Sequence, residues 1–123
     1  MDDMEVRLIA MDLDGTALRA DRRTFSPRLS AALDAAHERG VHILPVTGRQ
    51  FFFLPPAVRR DAAWAGLAVL SNGGEVRRLA DGALLQAHYL ELEGLLPLID
   101  MVARLGLPVE VSANGGLYLT RES

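Results

Sequence analysis

Residues 6–19 read VRLIAMDLDGTALR, and no other stretch restricts the fold as tightly. An apolar run, Val6 to Met11, ends abruptly in two carboxylates, Asp12 and Asp14, with Gly15 and Thr16 directly behind them. A run of that length closed by Asp and Gly predicts a buried strand meeting a turn. While the chain stays extended, residues two apart point the same way. Asp12 and Asp14 are therefore expected on one side of the strand's exit, with Leu13 on the other. Two like charges that close repel and shift each other's titration. A fold accommodates them more readily with a cation or a shared proton between them. The plainer alternative is an Asx turn or a helix cap, since Asp and Gly also build ordinary turns.

The sequence downstream supplies a partner for that strand. Ser26 is a good N-cap residue, and Pro27 suits the first helical position, where its missing N–H costs nothing. Leu29, Ala32, Leu33 and Ala36 then recur at helical spacing, and Gly40 lies where a left-handed cap residue is wanted. This predicts a helix over Pro27–Arg39. Val41–Val46 (VHILPV) is a second apolar run, ending in Thr47-Gly48-Arg49. Strand, helix and strand make a right-handed βαβ unit with parallel strands. Both strands then end on one edge of the sheet, so Thr47 is expected beside Asp12 and Asp14, where open α/β sheets bind ligands. Pro45 weakens the case for a central strand, and His42 reads as structural or surface. A threonine hydroxyl, a glycine that permits close backbone approach and unpaired N–H groups at a helix start make an anion cradle, to which Arg49 adds charge.

Beyond residue 49 the signals are shorter. Arg49–Leu54 begins a helix that Pro55-Pro56 interrupts, and Phe51-Phe52-Phe53 reads as packing, with a substrate contact at the site mouth as the alternative. Ala57–Ala65 reads as a short helix with Trp64 in a core. Leu67–Leu70, Glu75–Leu79 and Ala83–His88, separated by Asn72-Gly73-Gly74 and Ala80-Asp81-Gly82, predict a β-meander. Asn72 either orients a ligand or simply makes its turn. Glu91 to Gly106 is helical in pattern, with Pro97 near its first turn. Leu107–Val111 and Leu117–Thr120 flank the hairpin signal Asn114-Gly115.

Composition removes several classes. A chain of 123 residues is one domain by length, and half its residues are hydrophobic, which excludes global disorder. A net charge of −3 argues against a nucleic-acid surface held by bulk charge. Without cysteine there is no disulfide framework and no thiolate metal site. No stretch approaches the ~20 apolar residues of a membrane span. The acidic N-terminus resembles no signal peptide, so a soluble cytoplasmic protein is expected. All 13 basic residues are arginine, and there is no lysine.

These residues carry a pattern that resembles a known family. MDLDGTAL resembles motif I of the haloacid dehalogenase-like (HAD) phosphohydrolases, and PVTGR resembles motif II. SNGGEV, at Ser71–Val76, is similar to the hairpin after motif II in the Cof-type branch, the sugar-phosphate phosphatases with a large α/β cap. The resemblance implies an α/β fold: a partial HAD-like Rossmannoid core with a parallel sheet over residues 1–86, then the start of an α/β cap over 87–123. It implies that Asp12 is the nucleophile that forms an aspartyl-phosphate, and that Asp14 is the proton donor and then the base. Mg²⁺ would bind the Asp12 carboxylate and the Asp14 backbone carbonyl. Thr47 and Gly48 would hold phosphoryl oxygens, with Arg49 and Asn72 as further substrate contacts, and the partner would be a small phosphorylated metabolite. General chemistry agrees, since carboxylates accept phosphoryl groups and Mg²⁺ prefers oxygen ligands.

Departures from the pattern carry their own expectations. Ala17 stands where the family often has Leu. The family's basic motif III, usually lysine, and its acidic motif IV normally follow the cap, yet this sequence has no lysine and no Gly-Asp dipeptide. It therefore resembles the N-terminal portion of a phosphatase, with a C-terminal core segment expected downstream and weak activity alone. Two alternatives belong to other classes. One is a non-catalytic module that keeps the phosphate cradle. The other is a receiver-like domain phosphorylated on Asp12, which the absence of lysine disfavours.

Overall fold

Parallel pairing of two short strands sets the frame. In the computed structural model, which describes residues 4–120, β1 (Leu8–Met11) runs beside β2 (His42–Pro45), with Leu8 opposite His42 and Met11 opposite Pro45. The connection is α1 (Pro27–Glu38), whose N-cap Ser26 accepts the Leu29 N–H at 3.1 Å through its hydroxyl oxygen. At the other end Gly40 takes φ +81°, and the Val41 N–H turns back onto the Ala36 carbonyl at 3.1 Å. Leu33 is buried while Leu29 and Ala36 are half-buried, so the apolar stripe is real, except that Ala32 is exposed.

The β-meander follows as the sequence predicts: β3 (Leu67–Leu70), β4 (Glu75–Arg78) and β5 (Leu84–Ala87), all antiparallel. Between β2 and β3 lies α2 (Pro56–Arg59), a single turn. The expected helices over 49–54 and 57–65 reduce to this turn and a tighter one at Phe51–Phe53. Pro55 and Pro56 explain the break: each ring fixes φ and neither nitrogen can donate.

β2 and β3 meet at one parallel bridge, Val46 to Val69. Pro45 accounts for so slight a seam. The amides of His42 and Val46 bond to Arg7 and Met11, so even-numbered amides face β1. Odd-numbered amides face β3, as the bond from the Thr47 N–H to the Val69 carbonyl shows. Pro45 is odd and has no N–H, so its deficit falls on the β3 side and leaves the β1 ladder whole.

One face of β2 carries Ile43, Pro45 and Thr47 and is buried, while His42 and Val46 are exposed. Beneath it Leu13, Leu33, Val58, Ala68 and Leu70 form the core with Trp64, whose ring lies 6.0 Å from that of Phe25. Phe51 packs there too, but Phe52 and Phe53 are exposed, so the packing role expected for the triplet holds for one ring only. A second correction concerns β1. It is not a buried strand: Leu8 is 52% exposed, Ala10 is exposed and Met11 alone is buried. Among the described residues β1 pairs with β2 on one flank only, so its apolar residues lack the cover that a central strand receives.

The chain divides between Ala87 and His88 into two compact units. The second contains α3 (Leu92–Arg104) and the hairpin of β6 (Glu110–Ala113) and β7 (Gly116–Leu119). Asn114 and Gly115, at φ 50° and 75°, make the turn and pair Ala113 with Gly116. Pairing is thus counted from that turn, and β6 begins at Glu110 rather than Leu107. α3 begins at Leu92, and Pro97 sits in its second helical turn. Among its described residues this unit has none that is fully buried.

Candidate active site

Asp12 (φ −70°, ψ 150°) and Asp14 (φ −68°, ψ 125°) are extended at the exit of β1, while Leu13 between them opens a turn and is completely buried. Gly15, at φ +76°, then reverses the chain in a wide turn closed by the Leu18 N–H on the Leu13 carbonyl at 2.9 Å. Leu13 is thus buried between an exposed Asp12 and a half-buried Asp14. Their surroundings differ. Asp12 is exposed, and its Oδ2 accepts the Thr16 hydroxyl at 2.7 Å. Among the described residues nothing donates to its Oδ1.

Asp14 is claimed by two arginines. Arg49 grips it with both prongs, Nε on Oδ2 at 2.8 Å and Nη2 on Oδ1 at 2.6 Å. Arg22 adds a bond from Nε to Oδ1 at 3.1 Å. The Arg49 hydrogen bonds are the largest cause that holds the Asp14 carboxyl well below the usual carboxylate range; those of Arg22 and the nearby positive charge add to it, and partial burial opposes it. The same contact raises the Arg49 guanidinium above its ordinary value. The sequence predicts a cation or a proton between two aspartates, but the cation found is guanidinium, and it sits on Asp14.

Arg49 also ties loops together. Its Nη2 reaches the Arg22 carbonyl at 2.9 Å and its Nη1 the Phe53 carbonyl at 2.8 Å. Its own N–H donates to the Thr47 hydroxyl oxygen at 3.1 Å. Thr47 is buried, with its N–H on Val69 and its carbonyl accepting from Asn72 at 3.2 Å. The Thr47 hydroxyl keeps one hydrogen to donate. Gly48 is exposed, and among the described residues no acceptor takes its N–H. The Asn72 side chain packs against Gly48: a Cβ there would lie 2.8 Å from the Asn72 Oδ1. Ser71, Asn72 and Gly73 all have positive φ, so Asn72 serves the turn and also shapes the cradle.

The Met11–Pro45 pairing and the bond from the Val46 N–H to the Met11 carbonyl place Asp12 beside Thr47 at one sheet edge, with Arg49 bridging from Thr47 to Asp14. Asp12, Asp14, Thr47, Gly48, Arg49 and Asn72 are grouped there by these bonds and by the Asn72 contacts with Thr47 and Gly48. Two neighbours were not singled out. Thr16 was visible as a hydroxyl one short turn beyond Asp12. Arg22 was visible only as part of a charged loop.

The donor set suits a hard cation, with an open carboxylate oxygen on Asp12 and only oxygen ligands at hand. No group of three or more acidic or imidazole side chains able to hold a metal occurs among the described residues.

Residues 9–123 match the haloacid dehalogenase-like hydrolases, and the chain belongs to that family. A Streptococcus pyogenes serotype M6 protein that carries the name of a phosphatase is 26% identical over 117 residues, covering 94% of this chain and 43% of that protein. Among solved structures, a haloacid dehalogenase-like hydrolase from B. subtilis superposes with a TM-score of 0.81 at 21% identity, covering 96% of this chain and 40% of that one. A phosphatase of the same superfamily from Bacteroides thetaiotaomicron gives 0.80 at 19%, covering 96% and 42%. A subclass IIB sugar phosphatase gives 0.79 at 17% identity, covering 93% and 44%. These superpositions show a shared fold, with this chain forming a partial HAD-like core. The chain spans less than half the length of each of these relatives.

Proposed function

We propose that the chain is the N-terminal part of a Mg²⁺-dependent phosphatase for small phosphate monoesters, sugar phosphates or similar, working through an aspartyl-phosphate. The observation that carries this reading is Asp12: one oxygen is held by Thr16 and the other is open, beside the Thr47–Gly48 cradle. The Asp12 Oδ1 attacks phosphorus, and the bond from phosphorus to the leaving oxygen breaks. Asp14 gives that oxygen a proton. Water then attacks phosphorus and returns a proton to Asp14, releasing phosphate and the Asp12 carboxylate. The Gly48 N–H and the Thr47 hydroxyl hold phosphoryl oxygens. The Asp12 carboxylate and the Asp14 backbone carbonyl would hold Mg²⁺, which when bound offsets repulsion between carboxylate and phosphate.

Under this reading the first unit is the front of the catalytic core and the second the beginning of an α/β cap. A cytoplasmic setting belongs to it, since a cysteine-free chain needs no oxidising compartment. The 123 residues alone are weak, because they bring no lysine for motif III and no Gly-Asp for motif IV. The test is hydrolysis of p-nitrophenyl phosphate with saturating Mg²⁺, by residues 1–123 and by any longer natural chain that contains them. Turnover by the longer protein disappears with EDTA and in Asp12→Asn. Unchanged turnover in Asp12→Asn refutes covalent catalysis through that residue.

The hold of Arg49 and Arg22 on Asp14 favours a second reading, a phosphate-binding module without turnover, because a proton donor must leave that grip. Phosphate binding by a longer chain that never hydrolyses a monoester would select it.

A further inference from the structure

The loop that carries Arg22 is built more firmly than a connector needs. Arg22 has φ +59°, a conformation that non-glycine residues keep only when their surroundings impose it. Several bonds impose it here. The Arg22 N–H bonds the Arg19 carbonyl at 2.8 Å, and the Arg19 N–H bonds Thr24 at 2.8 Å. Asp21 takes three bonds at 2.6–3.0 Å, from the Arg23 N–H, the Thr24 N–H and the Thr24 hydroxyl. From outside the loop, Arg49 donates to the Arg22 carbonyl. The result holds the Arg22 side chain against Asp14.

Two arginines touch Asp14, and they are spent differently. Arg49 is largely consumed, with three of its nitrogens on Asp14, Arg22 and Phe53, and its side chain is 18% exposed. Arg22 commits Nε alone, its side chain is 71% exposed, and its Nη1 and Nη2 have no partner among the described residues. Four N–H donors in a rigid fork, beside a committed carboxylate, suit a second carboxylate or phosphate.

We propose that Arg22 is a specificity-determining residue that receives an anionic group on the leaving part of the substrate. This rests on the phosphatase reading, which puts the leaving oxygen at Asp14 and the transferred phosphoryl group at Thr47 and Gly48. Arg22 bonds Asp14 and neither Thr47 nor Gly48. Its ligand class is therefore a phosphate monoester with a carboxylate or second phosphate a few bonds from the ester oxygen. A neutral alcohol gains nothing from the fork.

The test is a ¹⁵N NMR titration of the 123-residue chain with Mg²⁺ and three probes: phosphoglycolate, ethyl phosphate and inorganic phosphate. Phosphoglycolate is expected to bind about fivefold tighter than ethyl phosphate, the size of one exposed charge pair. Arg22→Gln erases that preference and leaves inorganic phosphate binding unchanged, and Arg22→Lys restores part of it. Arg39→Gln, which removes the same charge at the far end of α1, leaves the preference intact. Equal affinity for the two esters, with inorganic phosphate still bound, overturns the role of Arg22 and spares the phosphate site. Loss of inorganic phosphate binding in Arg22→Gln also overturns it, because Arg22 would then touch the phosphoryl group. If neither the 123-residue chain nor a longer natural chain that contains it binds phosphate with Mg²⁺ present, the phosphatase reading falls and this inference with it.

Discussion

Gly48 shows how little room separates the proposed phosphate cradle from the turn above it. Its missing side chain is replaced by the end of Asn72. Gly48→Ala should push Asn72 aside and cost about 1 kcal/mol, at the low end for overpacking because a short polar side chain can yield. Gly48→Ala with Asn72→Gly should recover most of the lost melting temperature, since glycine accepts the positive φ at 72 and clears the space. Equal melting for the single and double variants would show that another contact decides. Asp21 offers a pH-dependent case. Its hydrogen bonds to Thr24 and Arg23 bring its carboxyl down to about 2. A lowered folded value means that its contribution is complete above the unfolded value of about 4 and is lost as pH falls through 2. The Arg23 and Thr24 amides should therefore exchange faster across that window, while Asp21→Asn flattens the dependence. The burial of Leu13 between two accessible aspartates was legible in the sequence because an apolar residue flanked by carboxylates takes the core side. The guanidinium contacts on Asp14 were not, because Arg49 reaches it across 35 positions and only the βαβ closure joins them.

At the scale of elements, α1 was the most legible because its start, stripe and stop are local signals that agree. Leu33 is the anchor: Leu33→Ala should cost about 2–4 kcal/mol, whereas Ala32→Ser, on the same predicted stripe but exposed, should stay within about 0.5 kcal/mol. Urea unfolding of both variants checks the contrast, and similar losses would mean that α1 buries a different face. The misreading of Ala32 has a simple cause: helical spacing defines a stripe, and the curvature of the surface beneath decides how wide a stripe it covers. The same limit applies to β1. Its composition fits a strand covered on both sides, but cover comes from neighbours that local pattern does not specify. The stretch 49–65 was the least legible, because apolar residues and prolines compete there and proline wins.

Across the whole molecule, burial is uneven. Within the first unit a core under one sheet face is well formed, while Leu8 of β1 stays open. In the second, Leu92, Leu96, Met101 and Leu105 of the helical segment are all exposed. The family, seen from motifs I and II, was legible because those motifs sit at strand exits whose chemistry is local.

The proline in β2 has a kinetic consequence. β1 and β2, joined by α1, hold each other through one ladder, and β3 to β5 through another that shifts register between Val76 and Arg77. What joins the two ladders lies toward the site: Thr47 to Val69, Asn72 to Thr47, and Ser71 to Arg49. Pro45 adds no donor to that seam. Native-state hydrogen exchange should therefore resolve two cooperative opening units within the first 87 residues, divided along β2–β3. The amides of Thr47, Ser71 and Asn72 should exchange last among those on the boundary. The seam then peels open from the end opposite the carboxylates, so that brief partial unfolding leaves the edge with Asp12 and Thr47 assembled until the two halves finally separate. A single exchange regime across both ladders would show that side-chain packing, and not these backbone bonds, holds the halves together.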